Sequence, residues 1–187
     1  MSVINTHPSG EVGIEIAPPL DASGGDDKLA GRVDALLRRI CLIARALTGA
    51  EQAALKLSLD EDAAKARKYF SLSEKYKSYR DFRVDPRGFG LHGMAIPPRE
   101  VVRLTQEEVV SHPLWRNFGP VAAEHPPMRG WLASSVYGDD GRIYGLLQLS
   151  DKNGGRDFDA DDEEHIRELA ALAGEALDAL RAASSIS

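Results

Sequence analysis

The 187-residue chain has a single cysteine, Cys41, and that scarcity removes several chemistries. A disulfide framework needs pairs, and a multi-cysteine zinc or redox site needs more thiols still. A lone thiol is consistent with a reducing compartment. Positive charge is also short: 23 Lys and Arg stand against 29 Asp and Glu, a formal net charge of -6 at pH 7. Nucleic acid is usually met by a basic face that neutralises phosphates, so no nucleic-acid partner is expected. No apolar run approaches the roughly 18–20 residues that span a bilayer, and no basic patch with an apolar stretch behind it opens the chain. No membrane partner is expected, and the expected compartment is the cytoplasm.

What remains is a globular composition. Apolar residues make up 43% and charged residues 28%, enough for a core under a solvated surface. The length suits one ordinary domain with tails. Basic residues do gather locally, at Lys65, Arg67, Lys68, Lys75, Lys77, Arg80, Arg83 and Arg87. A solvated strand-and-loop surface explains that run more simply than an anionic partner does.

Residues 1–26 are expected to form a flexible tail, punctuated by Pro8, Gly10, Pro18, Pro19, Gly24 and Gly25; such a segment buries too little to offset ordering entropy. Alternating Val12, Ile14 and Ile16 suggest at most a short strand there. A domain is expected over 27–183, with 184–187 as a C-terminal tail. Leu29, Val33, Leu36, Leu37, Ile40, Ala44 and Leu47 recur at helical spacing, with Asp26 or Asp27 to cap them and Gly49 to stop the helix near Thr48. Ala53, Leu55, Leu57 and Leu59 alternate as a strand does; an acidic turn at 60–62 leads to a second strand ending at Leu72, making a hairpin. Between 74 and 100, prolines and glycines forbid long regular elements. A short strand at Val101–Leu104 and a short helix at Gln106–Ser111, stopped by Pro113, follow. Trp131–Tyr137 and 142–150 flank Gly138-Asp139-Asp140-Gly141, a hairpin turn, and apolar residues at most positions of both arms predict a central hairpin covered on both faces. Asp159, Asp161, Asp162, Glu163 and Glu164 open a last helix to about Ala182, where the dipole favours them. Helix, hairpin, irregular insert, hairpin, helix describes an α+β domain.

Catalytic patterns fail on physical grounds. Gly88, Gly90 and Gly93 have dinucleotide-loop spacing, but Pro86 before and Pro97-Pro98 after deny it the strand and helix it needs. The five histidines, His7, His92, His112, His125 and His165, show no paired helical metal spacing, and His165 among acids is expected to be exposed. Ser134 and Ser135 lie within a strand without a tight glycine-flanked elbow. Cys41 lies on the apolar side of the first helix, where a thiol behaves as a small hydrophobe.

From Trp131 to Ala176 the sequence resembles the C-terminal half of a GAF domain. The hairpin 131–150 carries the resemblance, followed by Asp151-Lys152, Phe158 and Asp162-Glu163. These approximate the Asn-Lys…Phe-x-x-x-Asp-Glu motif of the family's cyclic-nucleotide-binding branch, with Asp151 in place of Asn. In that branch the motif mainly buttresses the fold; Lys152 is expected to pair with Asp162 or Glu163. The segments 112–119 and 125–131 resemble, more loosely, GAF domains of bacterial sensor histidine kinases. The resemblance implies a central antiparallel sheet of about five to six strands. The two terminal helices would cover one face, and a pocket would open on the other under loops and short helices.

The same resemblance implies a sensory role. Trp115, Phe118, His125, Met128, Arg129 and Trp131 are the expected ligand-binding residues, aromatic walls with a few polar groups, and Arg129 is suited to an anionic ligand. The expected ligand is a cyclic nucleotide or another metabolite; no catalytic or metal residue is assigned and the cofactor is left unknown. Expected partners are a second copy through the terminal helices and a histidine kinase or other effector. The alternative is a ligand-free dimerisation module, since Ile166, Ala173 and Leu180 repeat every seven positions.

Overall fold

The computed structural model describes residues 13–15, 27–58, 67–79, 90–115 and 128–185. Six strands form one antiparallel sheet in the order β1-β3-β2-β6-β5-β4. The strands are β1 (Gly13–Glu15), β2 (Ala50–Leu57), β3 (Arg67–Leu72), β4 (Val101–Leu104), β5 (Trp131–Tyr137) and β6 (Ile143–Lys152). The helices are α1 (Asp27–Thr48), α2 (Gln106–Ser111) and α3 (Ala160–Ser184). The short strand β1 pairs with β3, Gly13 opposite Ser71.

Local signals account for the element ends. Gly49, at φ 67, supplies the left-handed residue that stops α1 and turns the chain into β2. Thr105 begins α2 with a capping box: its hydroxyl accepts from the Glu108 amide, and the Glu108 carboxylate accepts from the Thr105 amide. Asp159 and Asp162 do the same for α3.

The two hairpins join through β2 and β6, with Ala50 opposite Lys152 and Leu57 opposite Gly145. The β5–β6 hairpin is therefore interior to the sheet, in keeping with its largely apolar arms. Alternation then sorts the side chains. Leu55 and Leu57 of β2, Leu132 and Val136 of β5, and Leu147 and Leu149 of β6 meet α1 and α3 in the main core. Ile166 and Ala173, two members of the sevenfold repeat, are fully buried in that same core. Their spacing thus serves packing within the chain.

Helix α3 approaches the sheet very closely at Gly174. A β-carbon added there would lie 1.8 Å from the Tyr137 carbonyl oxygen, so only glycine lets this helix rest on β5. On the opposite face a smaller cluster of Leu91, Ile96, Val109, Trp131, Ala133 and Leu146 packs under the insert. No helix among the described residues is long and apolar enough to cross a membrane.

Candidate functional site

The sheet face opposite the terminal helices receives its residues from every second position of the strands. Trp131, at the start of β5, is fully buried there, and its indole N–H donates to the Gln148 side-chain oxygen of β6 at 3.1 Å. Met128 and Trp115 pack on the same cluster, half-buried. Three of the expected ligand residues therefore come together as a packed hydrophobic body. Arg129 turns elsewhere: its guanidinium donates to the Gly155 carbonyl at 2.8 Å, and it is exposed. Phe118 and His125 lie outside the described residues, as do the acidic turn at 60–62 and Lys65, Arg80, Arg83 and Arg87 of the basic run.

Toward the other end of the same face lies a cavity of about 180 Å³ that the sequence did not announce. Lys56 and Ser58 line it from β2 and its end, Met94, Ala95 and Ile96 from the insert, Ser135 from β5, and residues 143–146 from β6. Trp131 and Ser135 are four residues apart on one strand, about 13 Å at the usual rise. Lys56 is half-buried, and burial alone pulls its ammonium below the ordinary lysine range. The Ser135 hydroxyl donates to the Pro97 carbonyl at 3.1 Å, which pins the insert to the cavity's edge. Next to it, Ser134 donates to the Glu100 carbonyl at 3.1 Å. Both hydroxyls thus tie loop to strand.

Tyr144 lines this cavity and also reaches the helical layer, where its hydroxyl donates to the Asp178 carboxylate of α3. Asp178 in turn accepts from the Asp139 amide in the β5–β6 turn at 2.7 Å, and Arg181 pairs with Asp140 at 2.9 Å. Burial and then the Asp178 carboxylate push the Tyr144 phenol up to about 12, so it stays a donor at neutral pH.

The root of α3 is tied as firmly. Lys152 is buried and donates to Asp162 at 2.5 Å and to Asp159 at 2.7 Å. Of the two expected partners Asp162 is the one used, with Asp159 added. Glu163 instead pairs with Arg103 of β4, which also donates to the Phe158 carbonyl at 3.1 Å. Asp151, at φ 58, is buried and accepts from Lys75 at 2.6 Å and from the Tyr76 hydroxyl. The Asp151 hydrogen bond holds the Lys75 ammonium well above its usual range. The residue standing where the family's motif has Asn therefore anchors the start of the insert.

Other polar groups end in structural roles. Cys41 is fully buried, and its thiol faces the Tyr69 carbonyl at 3.8 Å; burial pushes it up to about 12. Gly90–Gly93, the last part of the glycine-spaced segment, forms a 3-10 turn and starts no α-helix. His165 is half-buried rather than exposed, its Nδ1 covered and without a hydrogen-bond partner among the described residues. No cluster of three or more metal-ligating side chains occurs among the described residues.

The family model described as GAF domain matches residues 30–178. Solved structures resemble the chain over most of both lengths. The GAF domain of the cyanobacteriochrome TePixJ is 17% identical, with a TM-score of 0.59 over 87% of this chain and 96% of that one. The GAF domain of a phosphoenolpyruvate-protein phosphotransferase from Coxiella burnetii is 19% identical, with a TM-score of 0.57 over 84% and 93%. Residues 122 to 287 of a methyl-accepting chemotaxis protein are 17% identical, with a TM-score of 0.58 over 83% and 98%. At these identities the likeness is one of fold.

Proposed function

Since this chain belongs to the GAF family, we propose that it is a non-catalytic sensory domain of bacterial signal transduction. It binds a small molecule on the sheet face away from the terminal helices. It passes occupancy through those helices to a partner or fused effector such as a histidine kinase. The observation that carries this reading is Tyr144, which lines the cavity and donates its hydroxyl to Asp178 of α3. A ligand that displaces Tyr144 changes what holds α3 against the β5–β6 turn, and differential contact of this kind is what shifts a two-state equilibrium. Fold relatives drawn from a cyanobacteriochrome and a methyl-accepting chemotaxis protein are consistent with a signalling role.

Native mass spectrometry of freshly purified protein, with a thermal-shift panel of metabolites and cyclic nucleotides, tests the reading. Excess mass lost on denaturation, or a saturable stabilisation, is the expected result. A bare mass with no responding compound would sink the sensing role.

A ligand-free dimerisation module is the second reading. It is favoured by Leu47 at the end of α1, 53% exposed, and Leu172 on α3, 41% exposed. Sedimentation velocity over a dilution series decides it, and a species that stays monomeric at the highest concentration would remove it.

A further inference from the structure

The cavity beside Lys56 has a chemistry narrow enough to name the class of its occupant. Met94, Ile96 and Leu146 give it an apolar wall, and among the described residues Lys56 is the only charged side chain that lines it. Among the described residues no acceptor is bonded to that ammonium. A partly desolvated cation with no counter-charge is a cost that an incoming anion relieves. One cation beside an apolar wall matches one negative charge on a short hydrocarbon; a phosphate dianion would bring charge that no other described lining residue balances. Size narrows the choice further. At about 180 Å³ the cavity is smaller than the ~300–1,000 Å³ pockets that enclose drug-sized ligands, which favours a small occupant.

We propose that this cavity binds a small monocarboxylate with a short apolar chain, its carboxylate paired with Lys56 and its chain against Met94, Ile96 and Leu146. The assignment rests on the sensory reading above and specifies its ligand. The Ser58 hydroxyl, also lining the cavity, supplies a second donor for the carboxylate, and the occupant lies beside Tyr144.

The test is a titration of the nitrogen-15-labelled 187-residue chain with sodium valerate, followed by amide chemical shifts. Pentanamide serves as the neutral analogue. Saturable shifts at Lys56, Ser135 and Leu146 are expected, with pentanamide weaker by about tenfold or more, the usual loss when a charge-assisted bond is removed. Lys56→Met should weaken valerate by a similar factor, and Lys56→Arg should keep most of the affinity. Unchanged shifts elsewhere in each variant's spectrum establish that it folds. Three results overturn the assignment: no saturation at ~10 mM, tenfold above a weak ~1 mM Kd; equal binding of acid and amide; or unchanged binding by Lys56→Met. Should valerate fail while a co-purified mass is found, the sensory reading stands and this ligand class falls. Should valerate bind without altering amide exchange in α3, the ligand class stands and the relay through Tyr144 falls.

Discussion

Replacing Lys152 by methionine keeps most of the side chain's volume and removes only its charge. In the folded protein the Lys152 and Asp162 side chains are 6% and 5% exposed. The substitution therefore leaves a buried carboxylate without its cation. Breaking such a pair from one side costs about 3–5 kcal/mol. Part of this is offset, because Asp162 still accepts from the Asp159 amide at 2.9 Å and sits in the first turn of α3. Negative charge there is worth roughly 0.3–1 kcal/mol. The expected net loss is about 2–4 kcal/mol, a large share of the ~5–15 kcal/mol that holds a typical domain together. Urea unfolding followed by tryptophan fluorescence reads it, since Trp131 is fully buried. Adding Asp162→Asn removes the stranded charge but keeps an oxygen for the Asp159 amide. The double variant should therefore recover at least ~1 kcal/mol relative to additivity. A single-variant loss under ~1 kcal/mol, or strict additivity in the cycle, would refute the idea that this pair secures the root of α3.

Titration gives a second check on the same pair. Burial alone would lower the Lys152 ammonium, but the bonds to Asp159 and Asp162 outweigh it and raise it. Its contribution is then complete below the ordinary lysine value of ~10.4 and is lost as pH rises through the raised one. The Lys152 hydrogen bond and then the Asp162 amide hold Asp159 low, so its contribution is present above the ordinary ~3.9 and is lost as pH falls through the depressed value. Lys152→Met should move the Asp159 carboxyl titration upward in carbon-13 spectra, and an unmoved curve would contradict the pairing. Gly174→Ala should lose roughly 1–3 kcal/mol despite the ~1 kcal/mol helix-propensity gain, since the new methyl meets the Tyr137 carbonyl. An unchanged or raised Tm would refute that contact. Cys41 should resist a disulfide reagent at pH 8 and react only as the protein unfolds, because its thiol is buried and pushed up to about 12. Rapid stoichiometric labelling of the native protein would overturn this.

Much of the local architecture was legible along the chain because its causes are local. Helical spacing marked α1 and α3, the Asp-Asp turn marked the β5–β6 hairpin, and Pro113 marked the end of the short helix α2. The family resemblance added the layering, with the terminal helices on one face. The site was less legible. Trp131, Met128 and Trp115 do gather on the opposite face, but as a packed cluster. Arg129, adjacent to Met128 in the chain, turns to the Gly155 carbonyl. Alternation in β2 reads Lys56 only as a solvent-facing position between buried Leu55 and Leu57, and nothing near it in the chain indicates Ser135 or Leu146.

The sequence by itself determined the long helices, the glycine that stops α1, the two hairpins and the apolar setting of the single thiol. Each follows from residues a few positions apart, through period, capping chemistry or turn conformation. The tertiary structure alone decided that β2 joins β6, which brings Lys56 opposite Leu146 and builds the cavity wall. It alone chose Asp159 and Asp162 for Lys152, sent Glu163 to Arg103, and gave Asp151 to Lys75 and Tyr76. The physical reason is shared: a side chain far along the chain becomes a neighbour only when strand register and helix packing place it there, and local propensity carries no record of that.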